Sequence, residues 1–134
     1  MNNSREIALD LIDFAYNSPT AFHAVENVKD RLNKEGFIEL KEENKWSLVP
    51  KGKYYVTKNN SAIVAFKVGN GDVAEHGFKL VGAHTDSPGF RIKPNPDIVV
   101  ENAYVKLNTE VYGGPILNTW FDRPLALAGR VTLE

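Results

Sequence analysis

The sequence predicts an α/β fold, or its α+β relative: two N-terminal helices followed by a mostly β segment. Apolar residues recur at helical spacing as far as Lys34. Beyond it, β-branched and aromatic runs bounded by turn residues fill nearly the whole chain. Helices precede the strands instead of alternating with them, an order that suits a sheet with helices layered against it.

Ser4 to Asn17 reads as the first helix, with Ile7, Leu11 and Phe14 one turn apart and Ala8, Ile12 and Ala15 widening the stripe. Asn17-Ser18-Pro19-Thr20 breaks it. Ser18 is the expected cap of a second helix, with Pro19 at its first position, where a missing N–H costs nothing. Ala21, Val25, Val28 and Leu32 mark that helix's apolar face, and Gly36 stops it. A short strand, Phe37 to Leu40, follows. Tyr54 to Thr57 and Ala62 to Phe66 flank Lys58-Asn59-Asn60-Ser61, a hairpin turn by its asparagines. Phe78 to Ala83 is the most apolar run and is expected to be a central strand. Phe90 to Lys93 alternates and is expected to end at Pro94-Asn95-Pro96; Asp97 to Glu101, Tyr104 to Val111 and Leu125 to Leu133 complete the strands.

The 134 residues suffice for one domain with a core, and residues 1–134 read as a single domain. Hydrophobic residues make up 43% and charged residues 25%, the balance of a soluble globular protein. Sixteen Lys and Arg face seventeen Asp and Glu, a net charge of -1, so no basic excess points to nucleic acid or an anionic membrane. No apolar run approaches the roughly 20 residues that span a bilayer, and Met1 to Glu6 lack the apolar core of a signal peptide. With no cysteine, disulfides, thiolate nucleophiles and Cys-type zinc sites are excluded, and a cytoplasmic location is expected. The last strand-like run reaches almost to the terminus with no closing element, the mark expected of a fragment; Leu133-Glu134 also reads as a cloning scar.

Candidate chemistry concentrates in His84-Thr85-Asp86-Ser87-Pro88, at the end of the Phe78 to Ala83 run. A strand end holds a ligand rigidly, and a carboxylate two residues from an imidazole can fix its tautomer, as metal-bound histidines require. His84 is therefore either a metal ligand or a hydrogen-bonded structural histidine, with Asp86 as its partner. His23, in the first turn of the second helix, reads as structural, and His76 as a solvated loop residue. Helical His-x-x-x-His and His-Glu-x-x-His pairs are absent, as is Gly-x-Ser-x-Gly around Ser87. In Tyr112 to Leu125, Gly113-Gly114-Pro115 is a turn and Asp122-Arg123 an expected ion pair; the glycines lack phosphate-loop spacing.

Four stretches together resemble the aspartyl aminopeptidase and aminopeptidase I family of zinc metallopeptidases: Ser18 to Val25, Trp46 to Tyr54, Val81 to Pro88 and Tyr112 to Val131. They stand in the family's order with similar gaps. The resemblance implies the N-terminal portion of a mixed-sheet catalytic domain, with an inserted assembly domain beginning near or after 125–134. It implies hydrolysis of the N-terminal residue of peptides at a two-zinc site, and homo-oligomerisation into dodecamers when full length. By the same resemblance His84 is a zinc ligand and Asp86 is the catalytic-site acid that orients it. Asp122 is not a ligand. The further ligands and the general-base glutamate lie beyond these residues, so the chain alone is expected to be inactive. The alternative is a non-catalytic truncated paralogue or interaction module that retains the half-fold.

Overall fold

Helix α1 covers Asn3–Tyr16 and helix α2 Ala21–Lys34, as the apolar spacing requires. The computed structural model describes residues 3–133, and by contact the chain divides into two units, Met1–Asp86 with Ala128–Glu134 and Ser87–Leu127. In the first unit α1 presents no buried residue. It is tied to α2 mainly through Arg31, which donates to both carboxylate oxygens of Asp10 at 2.7 and 2.8 Å. The same guanidinium lies 5.1 Å from the centroid of the Phe14 ring.

The cap of α2 differs from the expected one. Thr20, not Ser18, is the N-cap: its backbone is extended, and its carbonyl accepts the first helical bond, from the Ala24 N–H at 2.9 Å. Pro19 consequently precedes the helix. Ser18 is used otherwise, its hydroxyl accepting from the Asn27 amide at 3.0 Å while that amide also donates to the Asn17 carbonyl at 2.7 Å. Gly36 lies just past the C-terminus at φ +76, and the N–H of Phe37 returns to the Leu32 carbonyl, closing the helix as its glycine predicts.

Strands β1 (Ile38–Glu39), β2 (Lys53–Lys58) and β3 (Ala62–Lys67) form a sheet in that order, β1 parallel to β2 and β2 antiparallel to β3. The sheet is thus mixed. Asn59 and Asn60, at φ +51 and +54, turn β2 into β3, and the Ser61 N–H closes the turn on the Lys58 carbonyl. Asparagine is the side-chain-bearing residue that adopts this left-handed backbone most readily. Among the described residues the buried hydrophobic ones are Ala24 and Val25 on α2 and Tyr54 and Tyr55 on β2; Tyr55 faces α2, while Tyr54, next along the strand, turns to the opposite face of the sheet. The Tyr55 hydroxyl donates to Asn33 Oδ1 at 3.0 Å, joining the two layers. On the sheet Phe66 lies between Tyr54 and Trp46, with centroids at 5.7 and 6.4 Å. A four-residue helix, α3 (Val73–His76), follows β3.

The second unit is built on one long hairpin, β4 (Gly89–Val100) with β5 (Tyr104–Tyr112), and a single 3-10 turn, Leu117–Trp120. Phe90 to Lys93 and Asp97 to Glu101 were expected as separate strands. They form one strand instead, with the register shifting between Ile92 and Asp97. Pro94 and Pro96 fall inside that shift, where their lack of an N–H breaks no ladder bond. Phe90 meets Trp120 edge to face at 5.1 Å, and Arg91 stacks 3.6 Å over Tyr112.

Two other strand expectations fail. Phe78 to Ala83 and Leu125 to Leu133 are irregular, and Phe78, Leu80 and Val81 are each more than 80% exposed. Both runs have strand-forming side chains, but neither pairs with a ladder among the described residues, and an unpaired extended segment is not a strand. Position 134, the end of the expected entry to an inserted domain and of the expected scar, lies outside the described residues.

Candidate metal-ligand loop

The residues from Gly77 to Pro88 lie outside helix and strand, and His84 stands near the end of that segment. Its side chain is 92% exposed, and its Nδ1 lies 3.2 Å from Asp86 Oδ1. The imidazole and carboxylate that the sequence places two residues apart are therefore in contact. With Nδ1 engaged by the carboxylate, the exposed ring turns its other nitrogen to solvent, the arrangement in which a neutral imidazole has a lone pair to offer. Asp86 and the intervening Thr85 are half-buried. The Thr85 hydroxyl donates to the Ser61 carbonyl at 2.8 Å, in the β2–β3 turn.

The other candidates are elsewhere. His23 Nδ1 is 2.7 Å from the hydroxyl of Thr20, within the cap of α2, which accounts for it structurally. His76 ends α3, where its N–H donates to the Asp72 carbonyl, and it is exposed. Asp122 and Arg123 do not form the expected ion pair. Asp122 has φ +54, so the backbone turns between the two, and Arg123 donates instead to the Thr119 carbonyl at 3.4 Å. An open recess of about 350 Å³ between α1 and α2, lined by Asp10, Asp13 and Arg31 among others, contains none of the candidate ligands.

Among the described residues no three His, Cys, Asp or Glu side chains gather closely enough to hold a metal. What the described residues do bring together is the His84 imidazole and the Asp86 carboxylate, a pairing whose chemistry fits a ligand with its orienting acid. Sequence reasoning missed Thr85, because a hydroxyl that bonds a turn carbonyl 24 residues away leaves no local pattern.

A sequence profile described as aminopeptidase I zinc metalloprotease (M18) matches residues 14–134. The chain is 68% identical over 134 residues to a probable M18 family aminopeptidase 2 of Clostridium novyi, covering 100% of this chain and 31% of that protein. A Pseudomonas aeruginosa protein of the same description is 49% identical over 129 residues, covering 96% and 30%. The chain therefore spans about a third of the length of these curated relatives. Among solved structures, a chain of the Ape4 and Nbr1 complex superposes with a TM-score of 0.85 at 39% identity, covering 90% of this chain and 23% of that one. The S. cerevisiae mApe1 dodecamer gives 0.80 at 31%, covering 91% and 28%. An M18 aminopeptidase of Thermotoga maritima gives 0.76 at 28%, covering 91% and 26%. The helix pair, the mixed sheet and the matched span all agree: this chain belongs to the aminopeptidase I (M18) family of zinc metalloproteases.

Proposed function

We propose that this chain supplies one corner of the metal site of an M18 aminopeptidase, with His84 as a zinc ligand and Asp86 as the acid that orients it. The observation that carries the reading is the 3.2 Å contact between His84 Nδ1 and Asp86 Oδ1 on a ring that is otherwise exposed. With the carboxylate accepting from an Nδ1–H, Nε2 is the nitrogen left with a lone pair to offer a cation. Zinc bound there supplies Lewis-acid polarisation of a scissile carbonyl and a bound water of lowered pKa. The other donors, a second zinc and the general base that takes the water's proton belong to the part of the relatives' length that this chain does not span. The substrate is a peptide with a free N-terminus, and the working form is a homo-oligomer in the cytoplasm. The dodecamer named for mApe1 supports the first half of that assembly reading, and the absence of cysteine suits the second.

The test is a chimera in which these 134 residues replace the matching span of the Clostridium novyi protein. Zinc-dependent release of N-terminal residues is expected, falling by at least about a hundredfold with His84→Ala and by about 10–100-fold with Asp86→Asn. An active chimera that keeps its turnover and zinc content with His84→Ala shows the ligand assignment to be wrong. A dead chimera beside an active parent favours a non-catalytic module.

A further inference from the structure

We propose that Asn70-Gly71 is a self-modification site, where the asparagine converts to aspartate and isoaspartate with the His76 imidazole as proton acceptor. Asparagine followed by glycine occurs once in the sequence. The pair lies in the bend between β3 and α3, outside helix and strand. Glycine matters there because no side chain hinders its nitrogen as it closes on the neighbouring side-chain amide. The fold supplies the second component. Asp72 caps α3: its carboxylate accepts from the Ala74 N–H at 2.9 Å, and its carbonyl accepts from the His76 N–H at 3.0 Å. That single turn brings His76 back over Gly71. A Cβ built on Gly71 would stand 2.8 Å from Cδ2 of the ring and 2.9 Å from its Nε2. An imidazole nitrogen is thus held beside the residue whose nitrogen must lose a proton, and histidine is the side chain that most often takes one.

The Gly71 nitrogen attacks Asn70 Cγ, forming the C–N bond of a succinimide while its proton passes to His76. The imidazolium returns that proton to the side-chain nitrogen, the Cγ–Nδ2 bond breaks, and ammonia leaves. Asn70 and Gly71 are exposed in this chain, so water reaches the ring and opens it. Attack at Cγ gives aspartate. Attack at the backbone carbonyl carbon gives isoaspartate, with the chain running through Cγ. The net change is one water taken up and one ammonia released, and the loop gains a negative charge two residues before the cap of α3. The Asn-Ser pairs, which have the next smallest followers bar one alanine, are held otherwise. Asn3-Ser4 lies in the first turn of α1. The Asn17 amide donates to Asp13, and the Ser18 N–H to the Ala15 carbonyl. The Ser61 N–H after Asn60 is committed to the Lys58 carbonyl.

The experiment incubates the 134-residue chain at neutral pH and body temperature and follows each asparagine by peptide mapping and mass spectrometry. Isoaspartate is detected by enzymatic methyl transfer to its carboxylate. Asn70 is expected to convert first, ahead of Asn17 and Asn60, with isoaspartate among the products. Asn70→Gln, whose longer side chain would have to close a larger ring, is expected to abolish the methyl-accepting product. His76→Phe keeps a flat ring against Gly71 and removes the proton acceptor; it is expected to slow conversion by at least about tenfold, below the span of a fully positioned base. Conversion of Asn17 or Asn60 before Asn70, or methyl acceptance that persists in Asn70→Gln, overturns the site. A rate in His76→Phe equal to the parent's or above it overturns the role of the imidazole. The measurement needs no metal and no turnover, so its outcome is independent of the ligand assignment at His84.

Discussion

Tyr55 offers the sharpest test of how this small core is held. It is 2% exposed at the middle of β2, and its hydroxyl donates to Asn33 on α2 at 3.0 Å. The two contributions separate by substitution. Tyr55→Phe removes one neutral hydrogen bond and keeps the ring. Because Asn33 is exposed, water replaces the lost donor, no buried acceptor is stranded, and the cost is about 1 kcal/mol. Tyr55→Ala removes the ring as well and leaves a cavity, which for an aromatic costs about 3–5 kcal/mol. The upper end applies, since Tyr55 and Val25 are the largest fully buried side chains among the described residues and little else can collapse into the space. A domain has roughly 5–15 kcal/mol in total, so Tyr55→Phe lowers the midpoint of melting by several degrees and Tyr55→Ala leaves the unit marginal or unfolded at 25 °C. Urea titration followed by far-ultraviolet circular dichroism measures both. The reasoning is refuted if the two variants lose the same stability, which makes ring burial irrelevant, or if Tyr55→Phe loses more than Tyr55→Ala.

Gly52 is confined by a neighbour. A Cβ built there meets the Tyr54 ring and hydroxyl at 2.5–2.7 Å, and Tyr54 is only 5% exposed. Gly52→Ala is therefore expected to destabilise by about 1–3 kcal/mol, the cost of overpacking; a melting temperature equal to the parent's counts against the packing described. Asp10 gives a pH dependence. The hydrogen bond from Arg31 holds its carboxyl below the ordinary value, with desolvation opposing it and the guanidinium charge helping. A depressed folded-state pKa gives a contribution present above the unfolded value of about 3.9 and lost as pH falls through the lower folded value. Asp10→Asn should thus melt below the parent near neutral pH, and the two curves should converge in strong acid. Because Asp10 is exposed the gap is small, and a gap that persists undiminished at acid pH contradicts the assignment.

The helices were legible because helix formation is local. The apolar spacing of α1 and α2 and the glycine after α2 each act within a few residues, and both helices appear within a residue or two of their expected bounds. The N-cap was misplaced because Ser18 and Thr20 have equivalent hydroxyls. What separates them is which carbonyl accepts from the Ala24 N–H, a matter of three-dimensional geometry. The hairpin turn at Asn59-Asn60 was legible for the same local reason, a requirement for positive φ. The long β4 was not, since prolines read as terminators. Only the register shift opposite β5 shows that they sit where the ladder is already broken.

The segment leading to His84 marks where local information stops. Phe78 to Ala83 has the composition of a buried strand, yet strand formation needs a neighbour's N–H and C=O groups as much as its own side chains. Among the described residues it has none, and its apolar side chains face solvent. The pairing of His84 with Asp86 does not depend on a strand. The contact of His84 with Asp86 closes over two residues, and Thr85 bonds to a turn whose own conformation is set by two asparagines. Sequence alone could supply the first of these bonds, because residues two apart make it. It could not supply the second, because its acceptor is a backbone carbonyl, which every residue carries and no motif distinguishes. The imidazole is therefore paired by a local bond, while the residue between it and its carboxylate makes a distant one.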